Sequence, residues 1–338
     1  MTLNDIAKKM CAKGRGILAA DESTGTMDKR LKSAGVESTE KNRLTFRQTL
    51  FSSGAMKKYI GGVILFDETI KQRSTLGMTI PELISSNDSV PGIKVDKGAK
   101  PLAGSSSETI TEGLDGLRDR LKEYYNLGAR FTKWRAVYKI GENYPSVQSI
   151  KSNAHALARY ASLVQEAKMV PIVEPEVLMD GSHDINLCYK VTTDVLNECF
   201  NELSIQKVDL KGTVLKPNMI VPGSECSEKV SSEEIAKKTL DCLKKNVPDE
   251  VPGIAFLSGG QSEIDASKNL NEINKINDSN FLITFSYGRG LQASALKAFG
   301  KNLDNVQKIQ SVFAHRAKMN GLSSKGEWSE NLEKEEIA

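Results

Sequence analysis

At 338 residues, with 39% hydrophobic and 26% charged residues, the chain has the ordinary composition of a soluble globular protein with a sizeable core. A net charge of only +3 argues against a nucleic-acid partner and leaves small anionic substrates open. The five cysteines are scattered without a Cys-x-x-Cys pair, MTLNDIAKKM holds no secretory core, and no apolar run has spanning length, so free thiols, no membrane span and a cytoplasmic address are expected.

Residues 1–13 carry Leu3, Ile6, Ala7 and Met10 at helical spacing, which predicts an N-terminal helix. The next run, Gly14-Arg15-Gly16-Ile17-Leu18-Ala19-Ala20, is apolar and ends at Asp21-Glu22. Its G-x-G-x-x-A start is not a dinucleotide turn, because the glycines precede the strand and offer no helix N-terminus to a pyrophosphate. The same arrangement then recurs along the chain. Gly62–Phe66 ends at Asp67-Glu68, Ile93–Lys97 and Ala129–Arg135 alternate apolar with charged, and Val170–Val173 ends at Glu174-Pro175-Glu176. Thr213-Val214-Leu215 ends at Lys216 before Pro217, Ile254–Leu257 at Ser258-Gly259-Gly260, and Phe281–Phe285 at Ser286-Tyr287-Gly288-Arg289. Helical stretches follow at 148–168, 183–203 and 231–245, the last opening with Ser231 as N-cap and two acids in its first turn. The Ser-rich stretches 84–90 and 103–107 read as loops.

Eight strands alternating with helices predict a parallel sheet closed into a (β/α)8 barrel of the TIM type. An open doubly wound sheet is the alternative, and the missing dinucleotide turn disfavours it. No linker divides the chain, so one domain over 1–338 is expected. From about residue 320 the tail is polar and charged, which predicts a mobile segment or a solvated helix.

In such a barrel the C-terminal strand ends form the active-site mouth. Asp21, Lys94, Lys133, Arg135, Glu174, Glu176, Lys216, Ser258, Ser286 and Arg289 all fall at or just beyond those ends. Any one alone could be a solvated rim residue; together they predict a site. Strand alternation points Lys133 and Arg135 to one side, and Glu174 and Glu176 to one side if the strand continues through Pro175. Lys133 and Lys216 lie on the predicted fourth and sixth strands, and a neighbouring ammonium and desolvation each depress a lysine's pKa. A neutral amine attacks a ketone to give an iminium, an electron sink beside a breaking carbon–carbon bond. A glutamate between two such lysines serves as general acid and base if its pKa is raised toward neutrality. The glycine turns at Gly259 and Gly288, with Arg289, predict a phosphate site. Metal catalysis is disfavoured, because His155, His183 and His315 show no ligand spacing, and no G-x-S-x-G elbow supports a hydrolase.

The stretches GRGILAADESTGTMDKRL (14–31), GIKVDKG (92–98), FTKWR (131–135), PIVEPEV (171–177), GTVLKPNM (212–219), FLSGGQSE (256–263) and FSYGRGLQASALKAF (285–299) resemble class I fructose-1,6-bisphosphate aldolase over about residues 1–300. The resemblance implies a metal-free lysine Schiff base, phosphorylated sugar substrates, a homotetramer, and cytoskeletal or adhesin partners. It implies that Lys216 forms the imine, Glu174 is its acid/base, Lys133 assists the carbinolamine step and Glu176 supports the charge network. It implies that Asp21 orients Lys216 and handles the proton of the hydroxyl on carbon 4. Ser258, Gly259, Ser286, Gly288 and Arg289 resemble the site for the phosphate on carbon 1. Ser23, Thr26, Arg30, Lys94 and Arg135 resemble the region of the other phosphate and the sugar hydroxyls; Thr26 replaces a commoner serine. Animal and plant members end in a tyrosine that exchanges the enamine proton. This chain ends Glu335-Glu336-Ile337-Ala338 and its last tyrosine is Tyr287, so slow proton exchange is expected. Rival readings are another lysine-imine barrel lyase, such as a transaldolase or a deoxyribose-phosphate aldolase, and a barrel retained for binding.

Overall fold

The structure, a computed structural model, describes residues 1–334. Eight parallel strands close into a barrel in sequential order. They are β1 (Gly16–Ala20), β2 (Ile60–Leu65), β3 (Val90–Lys94) and β4 (Phe131–Tyr138), then β5 (Val170–Val177), β6 (Val214–Leu215), β7 (Gly253–Phe256) and β8 (Leu282–Tyr287). Helices Val147–Glu166, Ile185–Ile205 and Ser232–Asn246 match the predicted stretches, and Ser231 caps the last of them by accepting from Glu234 N. Each crossover returns a strand beside its predecessor, as parallel pairing requires.

Two apolar layers hold the barrel together. The larger lies between strands and helices, where the outward residues Leu18, Trp134, Val173 and Leu215 pack with helix residues such as Leu157, Val195 and Leu240. The smaller lies inside the barrel, where Ile17, Ile64, Phe131, Ile172, Val214 and Ala255 meet Ile6, Ala7 and Met10 of the N-terminal helix Leu3–Met10. That helix therefore caps the amino end of the barrel. Period-two alternation makes the same inward rows apolar at this end and charged at the other: Ile17, Ala19, Asp21; Phe131, Lys133, Arg135; Ile172, Glu174, Glu176; Val214, Lys216.

Some expectations need correction. β3 starts at Val90, three residues before the predicted Ile93, and residues 84–86 end the helix Ile80–Ser86 instead of opening a loop. Pro91 and Gly92 are poor strand formers, so the pattern hid the start. Gly92 is needed there because a Cβ would stand 2.4 Å from the Phe131 ring that fills the barrel floor. β4 and β5 both run beyond their predicted ends, paired from Phe131↔Val170 to Tyr138↔Val177. Residues 103–107 form the loop of an unpredicted antiparallel hairpin, Ala99–Pro101 with Thr109–Thr111.

The tail beyond 320 is not loosely packed as far as Glu333. Trp328 is 7% exposed, its indole donates to Glu333 Oε1 at 2.8 Å, and Glu333 pairs with buried Arg316 at 2.7 Å. A polar sequence hid this because the polar groups satisfy one another. The terminal Glu335–Ala338, on which the proton-exchange expectation rests, lies outside the described residues.

Candidate active site

All fifteen residues nominated from the sequence line one cavity of about 370 Å³ at the C-terminal strand ends. Its floor is four charges. Lys133 Nζ lies 2.7 Å from Asp21 Oδ2 and 3.2 Å from Glu174 Oε2, and Lys216 Nζ lies 3.0 Å from Glu174 Oε1. The longer Lys133 contact is an ion pair without hydrogen-bond alignment, since Glu174 Oε2 has no hydrogen-bond partner. Lys133, Lys216 and Glu174 are at most 4% exposed. The four side chains come from the ends of β1, β4, β5 and β6, and they alternate in sign, so the cluster is neutral as a whole.

The ionisation directions differ from the sequence expectation. Burial acts to lower the Lys133 pKa, but the carboxylates of Asp21, Glu174 and Asp96 outweigh it, and Lys133 stands above an ordinary lysine. Glu174 is not raised toward neutrality. Burial pushes its carboxyl up, but Lys133, Lys216 and Arg135 outweigh that and hold it below the usual range. Asp21 behaves alike: burial opposes its charge, yet Lys133 and then Lys216 hold it down at about 2. A carboxylate stands between the two ammoniums, so the depression expected for Lys133 is outweighed. Glu174 is thus an anion in contact with an ammonium, placed to take a proton rather than to give one.

The strand β5 does continue through Pro175, so Glu174 and Glu176 share a side. Glu176 binds the Arg135 guanidinium, which holds Arg135 charged against the opposing effect of burial. Around the mouth two further cations are also tied to acids. Lys94 Nζ meets Asp96 Oδ1 at 2.7 Å, and Arg30 pairs with Glu22. Asp96 and Glu22 were missed in the sequence. Asp96 was readable, because it stands two residues past Lys94 in an alternating run. Glu22 was not, because the alternation that turns Asp21 inward predicts the opposite side for its neighbour. Gln292, which donates from Nε2 to Glu22 Oε1 at 3.0 Å, was missed too; it lies three residues past Arg289 on the same helix.

Arg289 makes no ion pair among the described residues and opens the helix Arg289–Lys301, whose N-cap Gly288 supplies no side-chain acceptor. Gly259 and Gly260 take left-handed backbone at φ +52 and +90. Ser286 is buried, and its hydroxyl has no partner. Free amides at a helix start, a left-handed glycine turn, an unused hydroxyl and an unpaired guanidinium are the parts of a phosphate cradle. Ser23 and Thr26 stand across the mouth with hydroxyl oxygens 3.1 Å apart. An adjoining apolar cavity of about 340 Å³, lined by Phe46 and Leu296 among others, shares Glu22, Arg30 and Arg289 with the mouth.

Comparison with known proteins gives a consistent result. The family model described as fructose-bisphosphate aldolase class-I matches residues 2–338. The chain is 51% identical over 327 residues to a probable fructose-bisphosphate aldolase class 1 of Xanthomonas axonopodis pv. citri, covering 96% of this chain and 98% of that protein. It is 52% identical to fructose-bisphosphate aldolase 4, cytosolic, of Arabidopsis thaliana over 93% of this chain and 80% of that protein. Among solved structures, fructose-bisphosphate aldolase from Plasmodium falciparum, in complex with TRAP and a small-molecule inhibitor, superposes with a TM-score of 0.95. The two are 44% identical, over 97% of this chain and 95% of that one.

Proposed function

The chain belongs to the class I fructose-bisphosphate aldolase family, and from that premise we propose which of its residues carry the reaction. The enzyme is a carbon–carbon lyase that reversibly cleaves fructose 1,6-bisphosphate to dihydroxyacetone phosphate and glyceraldehyde 3-phosphate. The observation that carries the residue assignment is the Glu174 carboxylate held between Lys133 and Lys216.

Glu174 takes a proton from the Lys216 ammonium, and the freed amine attacks the ketone carbon. Lys133 stabilises the oxygen as the carbinolamine forms, and a proton passes from the attacking nitrogen to that oxygen to make it a hydroxyl. Glu174 returns its own proton to the departing hydroxyl, and water leaves with an iminium in place. Asp21 takes the proton of the carbon-4 hydroxyl. The bond between carbons 3 and 4 then breaks, and its electron pair moves into the iminium to give an enamine and a free aldehyde. Protonation of the enamine and hydrolysis regenerate Lys216. Because Asp21 and Glu174 both start as anions, the site is set for proton abstraction at neutral pH. The Arg135–Glu176 pair fixes the rim of the same floor.

Ser258, Gly259, Ser286, Gly288 and Arg289 hold the phosphate on carbon 1. Ser23, Thr26, Arg30 and Lys94, with Arg135, face the far phosphate and the sugar hydroxyls. The family resemblance supports a homotetramer and a cytosolic address, the latter also carried by the name of the Arabidopsis relative. The family resemblance, together with the TRAP complex of the Plasmodium enzyme, supports a further proposal of adhesin- or cytoskeleton-type partners. No helix among the described residues is long and apolar enough to cross a membrane.

The test is inactivation. Borohydride with dihydroxyacetone phosphate is expected to abolish cleavage irreversibly, while borohydride alone and a chelator leave it intact. Loss of activity to the chelator, with no inactivation by borohydride and substrate, would overturn the imine reading.

A further inference from the structure

The parallel ladder between β5 and β6 is very short. It pairs Ile172↔Val214 and Val173↔Leu215, and its last bond runs from Lys216 N to Val173 O at 2.8 Å. β5 nevertheless continues for four more residues, and these include Glu174 and Glu176. Along a strand, alternate residues turn their amide groups to the same edge. Leu178 N donates to Tyr138 O on the β4 edge, so Val173, Pro175 and Val177 face the β6 edge. Pro175 has no N–H, which leaves Val177 N as the donor without a ladder partner. Val177 is 3% exposed, so that amide has no ready access to water.

Asn218 supplies the partner. Its Oδ1 accepts from Val177 N at 3.0 Å, while its Nδ2 donates to Thr192 Oγ1 and to Met219 O, each at 3.1 Å. Thr192 belongs to the helix Ile185–Ile205, and both Asn218 and Thr192 are buried. One side-chain amide therefore replaces the missing ladder rung and ties three elements together, two residues past Lys216. The loops beyond are closed by Ser224 N to Met179 O at 2.7 Å and Gly223 N to His183 O at 2.8 Å.

Building on the imine reading above, we propose that Asn218 is a positioning residue for the reaction. It locks the free end of β5 to the chain leaving β6, and so fixes the 3.0 Å separation between Glu174 and Lys216. It touches no reacting atom. Without it, Val177 N is an unsatisfied buried donor and the strand ends are free to part. A misplacement of about 1 Å in a catalytic pair costs on the order of 100-fold in rate.

The experiment compares wild type, Asn218→Ala, Asn218→Asp and Thr192→Val. The readouts are steady-state kcat and KM for fructose 1,6-bisphosphate, the rate of borohydride-trapped adduct with dihydroxyacetone phosphate, and thermal unfolding. Asn218→Ala is expected to lower kcat and the trapping rate by about 10- to 100-fold with KM changed by less than about threefold. Asn218→Asp keeps the acceptor for Val177 N and is expected to recover most of the loss. Thr192→Val keeps that acceptor too, and is expected to lower thermal stability with kcat within about threefold. If Asn218→Ala is recovered only unfolded, the Asn218→Asp and Thr192→Val pair decides: both keep the acceptor for Val177 N, so a kcat more than about tenfold below wild type in folded Thr192→Val or folded Asn218→Asp would overturn the proposal. So would a folded Asn218→Ala with wild-type kcat. A wild type that traps no adduct would remove the imine reading and this inference together, whereas trapping in wild type with an unaffected variant removes this inference alone.

Discussion

The two ends of the barrel interior are built from the same strands and differ in what they are made to do. At the amino end the inward residues are Ile17, Phe131, Ile172 and Val214, closed by the N-terminal helix. At the carboxyl end the charged residues on those rows are Asp21, Lys133, Glu174 and Lys216. The floor gains stability from dispersion and area removed from water. The mouth keeps four charged groups in contact, three of them buried, an arrangement that is weak evidence for stability and points to chemistry instead. On three of the four strands, chemistry and stability are separated by only two residues.

That separation is testable by substitutions at either end. The largest effect is expected from Lys216→Met, which removes the proposed nucleophile and should cost about 10⁵-fold or more in kcat. Its unfolding midpoint should fall much less than its rate implies. A double loss would mean that the mouth carries the fold as well. Glu174→Gln keeps the shape and removes the proposed base, and kcat should fall about 10²- to 10⁴-fold, with the folded protein still eluting as wild type does.

At the floor the sign reverses. Phe131→Ala should lose about 3–5 kcal/mol of stability in a denaturant titration, while kcat per folded protein stays within about threefold. A large drop in kcat without unfolding would show that the floor sets the mouth's geometry. The smallest effect concerns acid. Asp21 lies at about 2 in the folded chain against an ordinary 3.8, so its folded pKa is depressed. Its contribution to stability is full above about pH 4 and is lost as pH falls toward 2, amounting to roughly 2 kcal/mol. Unfolding titrations at pH 6 and pH 2.5 should therefore diverge less for Asp21→Asn than for wild type by about that amount.

Much of this was legible before any coordinates. The eight strands were readable because buried parallel strands carry short apolar runs that end in polar residues at the mouth. The fifteen candidate residues, which share one cavity, were readable because seven of the strand ends carry polar chemistry and the motifs resemble a known family. Other features required distances. Strand order put Glu174 between Lys133 and Lys216 but could not show the ion-pair contacts, in which Asp21 and Glu174 reverse the direction expected for Lys133 and the cations around Glu174 reverse that expected for its carboxyl. The start of β3 was hidden by Pro91-Gly92, which makes sense only once the Phe131 ring is seen against Gly92. The packed tail was hidden because Trp328, Glu333 and Arg316 find one another across the chain.

The central claim is that Lys216 is the nucleophile and that the carboxyl end of the barrel is built around it. The most direct measurement is peptide mass mapping of the adduct trapped by borohydride with dihydroxyacetone phosphate. A single modified peptide carrying the adduct on Lys216 is the predicted result. An adduct on Lys133 or Lys94 would contradict the roles assigned here, even with the barrel intact.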